Sequence, residues 1–112
     1  MRIPGAQRAV VDDTKIRDYL LSPEHPVGGP KARFFKSLGF SRNDWVAFQQ
    51  IIAGFAGSEA QLGKRTGFGQ KYIVEGTIEG PDGRTASIVV VWIVLAAEDF
   101  PRFVTAYPGV NR

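Results

Sequence analysis

The chain has 112 residues, a hydrophobic fraction of 44% and a net charge of +3, which suits a single globular domain, residues 1–112, built on one core. The absence of cysteine and the presence of one histidine exclude disulfides and thiolate metal sites, and the scattered carboxylates give no basis for a zinc or two-metal centre, so neither a metal nor a cofactor is expected. The mild basicity is compatible with a nucleic-acid partner, no apolar run is long enough to cross a membrane, and the first residues lack an apolar signal core, so a cytoplasmic protein is expected.

In chain order, residues 1–11 read as an N-terminal arm, in which Ala9-Val10-Val11 suggests a short edge strand. Asp12 or Asp13 can cap a first helix from about Thr14 to Leu21, with Ile16, Tyr19 and Leu20 on one apolar stripe, and Ser22-Pro23 ends it. A Pro/Gly-rich loop, Glu24 to Pro30, follows and carries His25. Pro30 starts a second helix, Lys31 to Leu38, which Gly39 stops. Ser41 and Asp44 form a near capping box for a third helix with Trp45, Phe48, Ile51, Ile52 and Phe55 on its apolar face.

Beyond Gly57 the pattern changes. Ser58 to Gly69 reads as a polar loop with Lys64 and Arg65. Tyr72 to Glu79 alternates as a half-exposed strand, Gly80-Pro81-Asp82-Gly83 is a turn, and Thr85 to Leu95 is apolar enough for the sheet centre. A last strand runs from Arg102 to Tyr107, with prolines only at its ends. Helices first and strands after them predict an α+β fold: about three N-terminal helices packed on one face of a three- to four-stranded antiparallel meander.

Two constellations carry potential chemistry. His25 is the best general acid or base the sequence offers, and Lys31 and Arg33 stand at a helix start, where the helix dipole and the loop N–H groups also favour an anion such as phosphate. Residues two apart on a helix do not share a face, so Lys31 and Arg33 converge only if the helix end itself faces the ligand. Strand alternation puts Phe103, Thr105 and Tyr107 on one side and Val104 and Ala106 on the other. Thr105 and Tyr107 could then bind a phosphate and stack a base. Trp92 could floor such a site, and Lys64, Arg65 and Arg102 could add RNA contacts. The alternatives stay open: a histidine in a surface turn, solvated cations, a core tryptophan and ordinary strand formers explain the same residues.

Tyr19-Leu20-Leu21, His25-Pro26, Lys31-Ala32-Arg33-Phe34-Phe35, Leu38-Gly39-Phe40, Trp92 and Val104-Thr105-Ala106-Tyr107-Pro108 together resemble an uncharacterised bacterial family. Its members occur as small standalone proteins and as C-terminal modules of polymorphic-toxin chains. The layout is also distantly similar to the barnase, EndoU, colicin D and RelE group of metal-independent ribonuclease toxins, although layout alone does not fix activity. The resemblance implies a small endoribonuclease toxin that cleaves RNA by attack of the ribose 2′-hydroxyl. His25, Lys31, Arg33, Thr105 and Tyr107 would be its catalytic set, and an acidic antitoxin or immunity protein its partner. The competing reading is a non-enzymatic binding module: an antitoxin, an immunity partner, or an RNA- or protein-binding domain.

Overall fold

The structure, a computed structural model, describes residues 1–22, 24–26 and 29–109. Pro23, expected to end the first helix, and Val27 and Gly28 of the His25 loop lie outside the described residues. A short helix α1, Asp13–Lys15, widens directly into a π-helical turn, Ile16–Leu20, which buries Ile16 and Leu20. The Leu21 N–H reaches back five residues to the Ile16 carbonyl at 2.9 Å. Such wide turns are rare and recur at functional sites.

Helix α2 spans Gly29–Ser37. Gly39, at φ 99°, takes the left-handed conformation that ends it. This lets the Phe40 N–H donate to the Phe35 carbonyl at 3.2 Å and the Gly39 N–H to the Lys36 carbonyl at 2.9 Å. Ser41 then bonds the Asp44 carboxylate through its N–H at 3.4 Å and its hydroxyl at 2.9 Å. A 3-10 turn, Arg42–Asp44, leads from there into helix α3, Trp45–Gly54, and another, Phe55–Gly57, leads out. Ile51, expected on the apolar face of α3, is 37% exposed, because the core contacts fall on Phe48 and Ile52, which are fully buried.

Four strands follow: β1 (Gln61–Thr66), β2 (Gly69–Glu79), β3 (Thr85–Leu95) and β4 (Pro101–Pro108). They pair in sequence order, all antiparallel. The stretch read as the loop Ser58 to Gly69 therefore contains a strand. Its polar residues give no apolar period, since β1 is an edge strand held by its ladder to β2 rather than by burial.

Val74, Ile78, Ile88, Val90, Trp92, Phe103 and Ala106 line the buried face of the sheet and join Ile16, Leu20, Phe35, Phe48 and Ile52 in one core. Phe35 and Phe40 each meet the Phe48 ring at a centroid distance of 4.8 Å, and Trp92 meets Phe103 at 5.8 Å. Such aromatic contacts add to the area each ring removes from water.

Two details of β4 position the site. Phe103 pairs with Trp92 and Thr105 with Val91, so Val104 is an extra residue, a β-bulge. Simple alternation fails there: Phe103 and Ala106 are both buried, three residues apart, and Phe103 does not share a side with Thr105 and Tyr107 as expected. The N-terminal segment caps the outer edge of β4. The Val10 N–H donates to the Pro101 carbonyl at 2.9 Å, and the Phe103 N–H donates to the Val10 carbonyl at 2.8 Å. Gly5, at φ 68°, lies so close to the Asp99 carbonyl that no side chain would fit.

Candidate functional site

Beside the bulge, α1, its π-turn, the His25 loop and the start of α2 meet β4. Lys31 lies in the first turn of α2 and points its ammonium at two hydroxyls. It donates to the Tyr19 phenol oxygen at 2.6 Å and to Thr105 Oγ1 at 3.1 Å. The two hydroxyls are themselves 3.4 Å apart. The Lys31 ammonium also lies 5.0 Å from the Tyr19 ring centroid. His25 packs in a T-shaped contact with that ring, with centroids 5.0 Å apart and planes at 88°. Its backbone is fixed by hydrogen bonds from its own N–H to the Ser22 carbonyl and from the Gly29 N–H to its carbonyl. Lys15 donates to the Val104 carbonyl at 3.2 Å.

These residues, with Thr14 and Asp18, border an open cleft of about 620 Å³. Partial burial pushes the Tyr19 phenol up, but the hydrogen bonds from Lys31 and Thr105 and the charges of Lys31 and Lys15 outweigh it, and the phenol is held below the usual tyrosine value. The Asp18 carboxylate at the rim is held below its ordinary range by hydrogen bonds from Arg42 and Arg17. Arg42 reaches it at 2.7 Å, so its charge is already matched on the protein side. Two ammonium groups and a helix start face the cleft, which favours an anion there. Among the described residues no three His, Asp or Glu side chains converge as a metal site would require.

The sequence candidates thus divide. His25, Lys31 and Thr105 come together at this cleft. Arg33 is exposed on α2 and borders none of it, for the helical-spacing reason already given. Tyr107 is 38% exposed and belongs to a different cleft further along β4. Trp92 is fully buried against Phe103, so it offers no RNA contact. Arg102 forms a two-pronged ion pair with Glu98, both contacts at 2.8 Å, and lies over the Phe100 ring. Lys64 and Arg65 are exposed on β1, at the opposite edge of the sheet from β4.

Tyr19 and Lys15 are members of the cluster that sequence reasoning left out. Tyr19 reads as part of an apolar stripe, and only its polar tip hints at another role. The helical period that groups it with Ile16 and Leu20 gives no sign of the π-turn that carries it.

Residues 2–110 match the model of a family described as a domain of unknown function (DUF6883). No curated protein matches the chain. Among solved structures, the fold is similar to a chain of a contact-dependent growth inhibition toxin–immunity protein complex from Klebsiella pneumoniae 342, with a TM-score of 0.67 at 19% identity over 95% of this chain and 97% of that one.

Proposed function

Because the chain belongs to the family described as a domain of unknown function (DUF6883), whose description names no activity, we propose a function from the site: a metal-independent endoribonuclease toxin, neutralised by a cognate immunity protein. One observation carries this reading. A lysine ammonium, a phenol with a lowered pKa and a threonine hydroxyl meet within hydrogen-bond distance, with the imidazole of His25 packed against that phenol. The similar chain in a toxin–immunity complex supports the biological setting.

In the proposed reaction the scissile phosphate takes the place at which Lys31 and Thr105 point. His25 accepts the proton of the ribose 2′-hydroxyl as its oxygen bonds to phosphorus. Lys31 stabilises the charge that develops on the phosphorane oxygens. Tyr19, made more acidic by Lys31, gives its proton to the 5′-oxygen as the P–O5′ bond breaks. The products are a 2′,3′-cyclic phosphate and a 5′-hydroxyl. Tyr19 rather than Tyr107 is the tyrosine of this reaction, and Arg33 has no part.

The test incubates the purified protein with total bacterial RNA in the presence of a chelator and identifies the product ends. Cleavage to 2′,3′-cyclic phosphate ends is expected, with a loss of about 10²–10³-fold in Lys31→Ala. Intact RNA with the wild-type protein sinks the proposal. That result would favour the second reading, a non-enzymatic binding module of the immunity type, since the similar complex contains an immunity protein as well as a toxin.

A further inference from the structure

Beside the catalytic cleft, the face of the sheet turned away from the helices carries a second cleft, of about 560 Å³, that includes Glu75, Thr77, Ser87, Val89 and Tyr107. We propose that it is a nucleobase subsite selective for guanine, read by the Glu75 carboxylate. This rests on the ribonuclease reading and names the base that the site selects.

Strand register builds the cleft. Glu75 pairs with Val89, and Val89 pairs with Tyr107, so the three form one row across β2, β3 and β4. Residues directly opposite each other share a face. Their sequence neighbours Val74, Val90 and Ala106 are fully buried on the helix side, which puts this row on the other side. Neighbouring strands are spaced about 4.8 Å apart, so Glu75 and Tyr107 stand about 10 Å apart across Val89. Val89, only 8% exposed, is a flat aliphatic floor. An aromatic ring on one side, a carboxylate on the other and an apolar floor between them suit a planar base with a polar edge.

The choice of base follows from donor chemistry. A carboxylate only accepts, and it has two oxygens. Guanine is the one standard base whose pairing edge puts two N–H donors side by side, on N1 and N2. Adenine and cytosine put an acceptor next to their amino group, and uracil flanks one N–H with two acceptors. Among the described residues no hydrogen bond or ion pair engages Glu75 (the carboxylates of Asp18, Glu98 and Asp99 all have arginine partners). An exposed, unmatched carboxylate beside a phosphate site would repel RNA unless it met donors on the base. Tyr107 lies two residues beyond Thr105, about 7 Å along the strand, so a phosphate at Thr105 and a base at Tyr107 fit one nucleotide.

The experiment measures binding of the four nucleoside 3′-monophosphates by calorimetry to the wild-type protein and to Glu75→Gln, Tyr107→Ala and Lys31→Ala. The guanosine nucleotide should bind about tenfold or more tightly than the others, and Glu75→Gln should level the four. Tyr107→Ala should weaken all four about tenfold by loss of stacking. Lys31→Ala should weaken them in parallel and keep the guanine preference. Equal affinities in the wild-type protein, a preference that survives Glu75→Gln, or no binding at all overturns the subsite. Cleavage of RNA by the same preparation decides separately whether the ribonuclease reading survives.

Discussion

At the β4 edge of the sheet Lys15 and Lys31 are half-buried and hydrogen-bonded to Val104, Thr105 and Tyr19, whereas at the β1 edge Lys64 and Arg65 stand exposed in solvent. Cations stand at both edges, Lys15 and Lys31 on helices docked on β4 and Lys64 and Arg65 on β1 itself. The edges differ in what covers them. Three helical segments and the Val10 bridge close over β4, while β1 pairs with β2 alone. In a partly desolvated cleft a charge acts on its neighbours with less screening, and the lowered pKa of Tyr19 reflects this. In open solvent the same charge is screened within about 10 Å. A cation marks a site only where the fold gives it hydroxyls to act on.

The comparison can be broken first at the level of stability. Phe103→Ala, on β4 and buried against Trp92, should cost about 3–5 kcal/mol in chemical denaturation. Leu62→Ser on β1, 58% exposed, should change stability by no more than about 0.5 kcal/mol. Equal losses would mean that β1 is as integral to the core as β4. The next largest contrast is in activity. Replacing Lys64 and Arg65 together with alanine should leave RNA cleavage close to wild type, far from the loss expected for Lys31→Ala. A double variant as inactive as Lys31→Ala would move the site, or part of it, to the other edge.

The finest contrast lies inside the site and is read by ultraviolet titration of the tyrosines, with Tyr19→Phe assigning the signal. Lys31 lowers the Tyr19 pKa because it stabilises the phenolate. Lys31→Met removes both the hydrogen bond and the charge while burial remains, so the Tyr19 titration should move to higher pH. A titration that stays in place would show that the ammonium is not coupled to the phenol, which removes the argument for Tyr19 as the proton donor.

Much of the fold was legible because it rests on local physics. Gly39, the Ser41/Asp44 pair and the Gly80–Gly83 turn each satisfy a backbone requirement that their own side chains announce. The Thr85–Leu95 strand is plain from its unbroken apolar run. β1 was not legible, because Gln61–Thr66 is polar on both sides and is held by hydrogen bonds to a partner further along the chain. The site was legible in part. His25, Lys31 and Thr105 stand out by residue type, but a helical period grouped Tyr19 with the core residues Ile16 and Leu20 and gave no sign of the π-turn, and the bulge at Val104 upset the alternation that grouped Thr105 with Phe103.

The sequence by itself determined the α+β order, the aromatic core, most helix ends and the presence of a cation at the start of α2. These depend on periodicity, caps and turns, which act over a few residues. Only the tertiary structure decided that Lys31 rather than Arg33 meets Thr105, that Tyr19 joins them, that Trp92 is sealed in the core and that Glu75 and Tyr107 face each other across Val89. Those outcomes depend on strand register, a bulge and the docking of helices on one sheet edge. They bring together residues as much as 86 positions apart, as Tyr19 and Thr105 are, and no local pattern encodes a contact over that separation.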